Sequence, residues 1–204
     1  MNYELSLVPN RTLKPRQAGL TMVMDKGSSV REVEDTLSIA ADYIDIVKLG
    51  WATSFVTPNV ENKIKVYQDA GIPVYFGGTL FEAFVVRNQF EDYLRILDKF
   101  NLEHAEVSDG SITLPSEEKC KYIRRLAERG KVLSEVGSKD AEKIFAPYKW
   151  IEMMQAELDA GAWKVIGEAR EGGNIGLYRS SGEDRQGLVD EIINAIPAEK
   201  IICE

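Results

Sequence analysis

The 204-residue chain has one histidine, His104, and two cysteines, Cys120 and Cys203. A multi-histidine metal site is therefore impossible, and any Ser–His–Asp or Cys–His device would have to use that one imidazole. Two cysteines far apart in sequence suggest neither a disulfide framework nor a zinc site. No apolar run approaches the ~18 residues of a membrane span, and no basic-then-apolar leader follows Met1, so the cytoplasm is the expected compartment. Positive charge is also in deficit, with 25 Lys and Arg against 33 Asp and Glu, a net charge of −8. That balance argues against nucleic acid or an anionic membrane as a partner. Chemistry must then run on carboxylates, lysines and arginines. A metal, if one is held, is an oxygen-ligated hard cation such as Mg²⁺.

What is present is one motif repeated: a short apolar strand, a polar loop, an amphipathic helix, a glycine, and another strand. The strand segments are Thr21–Asp25, Ile44–Leu49, Pro73–Phe76, His104–Ser108, Val132–Val136, Lys164–Glu168 and Ile201–Glu204. Most are nearly continuous apolar runs, the pattern of strands buried on both faces of a parallel sheet. Helical periodicity covers Val30–Ala41, Asn59–Ala70, Thr79–Phe100 (long enough for two helices), Ser116–Arg129 with Ser116 as N-cap, Ala146–Ala160 and Arg185–Ile196. Gly71, Gly130 and Gly161 each follow a helix and open into a strand, where a left-handed C′ residue is expected.

This alternation means βαβ units in an α/β fold. No G-x-G-x-x-G follows the first strand, so a (β/α)₈ TIM barrel is preferred to an open dinucleotide-binding sheet. The chain is expected to form a single domain over residues 1–204. Such barrels typically need about 250 residues, so strand 8 and the last helices are expected to be missing.

Barrel chemistry sits at the C-terminal strand ends. There the sequence places Asp25-Lys26-Gly27, Lys48 with Trp51, Gly77-Gly78 through Glu82, Glu106 through Gly110, Glu135 through Asp140, Glu168 through Gly173, and Glu204. Carboxylates inside apolar strands are costly unless paired or metal-bound. Glu106, Glu135, Glu168 and Glu204 fall on four consecutive strands, which suggests a cage for Mg²⁺; the bland alternative is that some point outward and pair with helix lysines. Lys48, inside a strand, needs a carboxylate or a ligand anion. Lys139 lies in a loop where desolvation can bring a lysine into general-base range. Arg170, with Gly172 and Gly173 following, suggests an anion clamp with backbone N–H groups. His104 is expected to be structural or exposed. Arg11, Lys14 and Arg16 belong to the opposite face.

These strings, in this order, resemble the phosphosulfolactate synthase family. The most specific are Gly77-Gly78-Thr79-Leu80-Phe81-Glu82 and the Glu135-Val136-Gly137 string within Leu133–Asp140; Asp25-Lys26-Gly27, Gly50-Trp51 and Glu168-Ala169-Arg170-Glu171 also match. The family usually has glycine where Ala52 stands. The resemblance implies a carbon–sulfur lyase that adds sulfite to phosphoenolpyruvate with Mg²⁺, giving (2R)-phospho-3-sulfolactate for coenzyme M or sulfolactate formation. It implies Lys139 as the acid that protonates the product carbon, with Lys48 and Glu135 beside it in catalysis. It further implies Glu106, Glu135 and Glu168 as metal ligands or their supports, and Lys26, Asp25, Arg170, Glu82, Gly172 and Gly173 as substrate-binding residues. A homo-oligomer is expected. Two alternatives stay open: a Schiff-base aldolase-like barrel using Lys48, and a non-catalytic, heat-stress-type relative.

Overall fold

The computed structural model describes residues 5–10, 12–138, 145–169 and 172–204. Seven short strands alternate with helices: β1 (Met22–Asp25), α1 (Val30–Ala40), β2 (Ile46–Leu49), α2 (Thr53–Val56), α3 (Val60–Asp69), β3 (Val74–Phe76), α4 (Gly78–Val85) and α5 (Phe90–Lys99). They continue with β4 (His104–Val107), α6 (Ser116–Ala127), β5 (Lys131–Val136), α7 (Pro147–Asp159), β6 (Lys164–Gly167), α8 (Gln186–Ala195) and β7 (Ile201–Cys203). All seven expected strands form within two residues of their sequence limits. The long segment after β3 divides into α4 and α5, because Asn88 turns left-handed between them (φ 55°). Ser116 is the first helical residue rather than the cap; Pro115 precedes it, and no side chain caps that end. The four-residue α2 lacks enough periodicity to be seen in the sequence.

Every ladder is parallel. Ladders join β1–β2–β3 and β4–β5–β6–β7 as two sheets, and β3 lies against β4. Alternate residues face two different environments. Val47, Val74, Phe76, Ala105, Val107 and Val132 pack outward with the helices in one large core. Ile46, Tyr75, Leu133, Ile166 and Ile202, from five strands and both sheets, pack inward against one another. An inward cluster that draws on both sheets, on the face opposite the helices, fits the TIM-barrel-type arrangement. No helix among the described residues is long and apolar enough to cross a membrane.

The glycines after the helices do two jobs. Gly71 (φ +70°) and Gly161 (φ +109°) adopt the left-handed conformation expected of C′ residues. Gly130 does not: a Cβ there would stand 2.1 Å from the Glu103 carbonyl oxygen, so glycine is needed for close approach rather than for positive φ.

The N-terminal strand ends are closed by structural bonds. Lys164 donates to the Gln17 and Glu199 carbonyls, Arg16 pairs with Asp45 (2.8 Å), and Lys14 donates to the Ala41 carbonyl (2.7 Å). Arg11 lies outside the described residues. His104 is buried at this end, edge-on to Trp163. Burial first, then the Lys131 ammonium, pulls its pKa from 6.5 down to about 4. The unfolded chain therefore binds a proton that the folded chain refuses. The stability contributed by neutral His104 is complete above pH 6.5 and is lost as pH falls toward 4, about 3 kcal/mol in all. Between those pH values the urea-unfolding free energy of the wild type should fall by about that much more than that of His104→Phe. Parallel pH profiles for the two proteins would remove His104 as the titrating group.

Candidate active site

At the opposite end, Lys48 projects from β2 into the barrel interior, 5 % exposed. Its Nζ lies 3.1 Å from Glu106 Oε1, 3.3 Å from Glu135 Oε2 and 2.9 Å from Glu204 Oε1. Burial alone would lower its pKa. Glu106, Glu135, Tyr75 and Glu204 together outweigh that, holding the ammonium well above the usual lysine range. Glu106 is fully buried, and burial outweighs Lys48 to raise its carboxyl pKa. Its Oε1 also accepts the Gly78 N–H at 2.6 Å, at the start of α4. Among the described residues its Oε2 has no hydrogen-bond partner.

Glu135, Glu168 and Glu204 each bring a carboxylate oxygen within 4.8 Å of the others. Three hard oxygen donors at that spacing suit a divalent cation of the Mg²⁺ type. The structure thus gathers Glu204 with Glu135 and Glu168, while Glu106 turns to Gly78 and Lys48. Above them opens a cavity of about 430 Å³, lined by the four glutamates, Lys48, Trp51, Thr79 and Gly172. A cleft of about 380 Å³ at the His104 end has no such cluster among the described residues; its Asp45 carboxylate is held by Arg16.

The Gly77–Glu82 motif builds the wall beside Lys48. A Cβ on Gly77 would stand 3.0 Å from Lys48 Cε, and one on Gly78 would stand 2.2 Å from Ser108 Oγ. Glycine at both positions lets the α4 N-terminus reach Glu106. Glu82 is buried and accepts the Ser108 hydroxyl and the Ser111 N–H (3.0 Å), so its carboxylate shapes the loop after β4. Asp25 likewise organises a loop. It accepts the Gly27 and Ser28 N–H groups at 2.8 Å, pairs with Lys63 at 3.0 Å and receives the Tyr67 hydroxyl at 3.2 Å. These bonds fold the β1 loop and place Lys26, whose Nζ lies over the Trp51 ring, 5.4 Å from its centroid.

The loop after β6 turns back on Glu168. Leu177 N–H donates to the Glu168 carbonyl (3.0 Å), and Gly173 (φ +55°) and Gly176 (φ +61°) supply left-handed bends. Gly172, in the same loop, reaches the cavity wall. Lys139 and Arg170 lie outside the described residues.

Two buried lysines escaped the sequence reading because they sit on helices among charged neighbours. Lys63, on α3, anchors Asp25. Lys119, on α6, pairs with Glu157 (2.8 Å) and Asp109 (2.9 Å) and donates to the Glu135 carbonyl (2.7 Å). The available signal was their spacing: Lys63 falls in register with Tyr67, and Lys119 with Ile123, on the apolar stripes of their helices. A third feature, the turn Gly50–Ala52 after β2, holds Trp51 (φ 51°) and Ala52 (φ 56°) in consecutive left-handed conformations. Such residues cost on the order of 1–3 kcal/mol each and collect at functional sites.

The family model for (2R)-phospho-3-sulfolactate synthase matches residues 9–204. The phosphosulfolactate synthase of Bacillus subtilis (strain 168) is 40 % identical over 206 residues, covering 100 % of this chain and 81 % of that protein. The phosphosulfolactate synthase of Methanocaldococcus jannaschii is 41 % identical over 194 residues, covering 92 % of this chain and 77 % of that protein. Among solved structures, 3-hexulose-6-phosphate synthase from Salmonella typhimurium superposes with a TM-score of 0.58 at 12 % identity, over 90 % of this chain and 77 % of that one. The 3-keto-L-gulonate-6-phosphate decarboxylase of Vibrio cholerae gives 0.55 at 12 % identity, over 92 % and 77 %. These two are TIM-barrel-type enzymes, and at such identities the likeness speaks for the fold alone.

Removing Lys48 would strand three carboxylates around an apolar stem. Lys48→Met should lower the urea-unfolding free energy at pH 7 by about 3–5 kcal/mol, the cost of breaking a buried ion pair from one side. Glu106→Gln should cost less, because its amide oxygen can still accept the Gly78 N–H. Equal losses for the two variants would show that Lys48 is not the hub of the cluster.

Proposed function

The chain belongs to the (2R)-phospho-3-sulfolactate synthase family, and from that premise we propose that it adds sulfite to phosphoenolpyruvate in a Mg²⁺-dependent reaction yielding (2R)-phospho-3-sulfolactate. The observation that carries the reading is the convergence of Glu135, Glu168 and Glu204 beside Lys48 beneath a cavity large enough for a three-carbon phosphate ester.

Sulfite is already a strong nucleophile, which fits a site that holds no activated serine or cysteine among its described residues. Its sulfur lone pair forms the bond to C3 of phosphoenolpyruvate. The C2–C3 π electrons move toward C2 and the carboxylate, and C2 then takes a proton. Bound at Glu135, Glu168 and Glu204, Mg²⁺ would supply the positive charge that offsets the charge gathering on the substrate carboxylate. Lys48 holds Glu135 and Glu204 at the spacing this needs, and Glu106 anchors Lys48 from the other side. Lys139 delivers the proton to C2, the role that its place in the Glu-Val-Gly-Ser-Lys string implies. Lys26, Arg170 and the Gly172–Gly173 backbone take the phosphate and sulfonate. A Schiff-base reading fits less well, because an amine flanked by three carboxylates stays protonated and is a poor nucleophile.

Incubating the protein with phosphoenolpyruvate, sulfite and Mg²⁺ should give a new phosphorus NMR signal from a phosphomonoester whose formation needs all three. EDTA should abolish it. Glu135→Gln should lower kcat by about 10²-fold or more, as expected when a group stabilising developing charge is lost. No product under these conditions, or activity indifferent to EDTA, would overturn the metal-assisted addition.

A further inference from the structure

Four carboxylates and one ammonium line the cavity among the described residues: Glu106, Glu135, Glu168 and Glu204 against Lys48. A substrate carrying several negative charges is repelled by such a lining unless cations meet it near the mouth. The residue at the mouth is Trp51, which is 53 % exposed although it is the bulkiest side chain on the cavity wall. The turn holding it is tightly fixed. The Thr53 hydroxyl donates to the Gly50 carbonyl (2.8 Å), Ala52 packs on the main core, and a Cβ on Gly50 would stand 2.9 Å from Met24 Cγ. Within this turn Trp51 and Ala52 take two successive left-handed conformations, and the indole stays out of the core. The β1 loop comes to the same place: a Cβ on Gly27 would touch Thr53 Cγ2 at 3.8 Å, and Lys26 Nζ lies 5.4 Å from the Trp51 ring centroid.

We propose that Trp51 is a positioning residue, its indole face carrying the Lys26 ammonium at the rim of the carboxylate-lined cavity, where that charge engages the anionic end of the substrate. The indole acts through Lys26. An aromatic face within about 6 Å of an ammonium attracts it and narrows the set of rotamers over which its charge is spread. The strained turn keeps the face where the lysine can use it. The proposal rests on the functional reading above, since it takes phosphoenolpyruvate as the anion.

Phosphoenolpyruvate binding by calorimetry in the presence of Mg²⁺, and steady-state turnover with sulfite, test it on the full chain. Trp51→Leu should raise Kd and KM for phosphoenolpyruvate about fivefold, the upper range for an exposed cation–π contact, with kcat within about twofold. Trp51→Phe, which restores an aromatic face, should recover most of that loss. In a Lys26→Met background, Trp51→Leu should add less than about twofold, because the indole then has no ammonium to hold. As a readout independent of any Trp51 variant, the change in tryptophan emission on titrating phosphoenolpyruvate into the wild type should shrink in Lys26→Met. The proposal is overturned by unchanged constants for Trp51→Leu, by an equal loss with and without Lys26, or by an emission response indifferent to Lys26→Met. A wild type that neither binds nor converts phosphoenolpyruvate defeats the functional reading itself. A wild type that does both, with variants that match it, defeats only the role given to Trp51.

Discussion

An ammonium inside a barrel is expensive, and Lys48 is tolerated only because carboxylates from β4, β5 and the end of β7 close around it. The dependence is mutual. Glu106 is buried between Ala105 and Val107, and Glu135 lies buried beside Val136, so crowding the two carboxylates together without a cation would be costly. Lys48 therefore works as an internal counter-ion that lets acidic side chains from distant parts of the chain share one end of the interior. The Gly77–Gly78 pair belongs to the same constraint. Side chains there would collide with the Lys48 stem and with Ser108, and the α4 N-terminus could not donate to Glu106.

Around this centre a second set of buried charges holds the loops. Lys63 ties α3 to Asp25 and thus to the β1 loop, and Lys119 ties α6 and α7 to Asp109 and to the backbone of Glu135. Each lysine reaches from a helix to the C-terminal end of a strand. The loops around the carboxylate cluster are thereby anchored from behind by largely buried ion pairs, where electrostatic interactions are strong and poorly screened. The other end of the barrel is secured by lysines bonded to backbone carbonyls, such as Lys14 and Lys164, and by the Arg16–Asp45 pair.

Much of this was legible in the sequence. Continuous apolar runs marked the strands, because residues covered on both faces cannot alternate with polar ones. The single histidine pointed to oxygen-based chemistry, and Glu106, Glu135, Glu168 and Glu204 could be picked out as glutamates recurring on successive strand segments. The loops were harder. Asp25 and Glu82 stand at strand ends by position, but the hydrogen bonds through which each shapes a loop could not be read from the sequence. Lys63 and Lys119 look like solvated helix charges, yet both are buried. Burial depends on the partner that a residue finds, and that partner lies on another element.

The chain by itself determined the α/β repeat, the strand ends at which its acidic residues recur and the residue types available, since periodicity and composition are local properties. Which acids meet was decided only in three dimensions. Strand periodicity assigns a side chain to the inside or outside, but the stagger between strands sets its height, and that stagger is a property of the assembled sheets. For this reason Glu204 comes level with Glu135 and Glu168, while Glu106 turns toward Gly78 and the Lys48 ammonium.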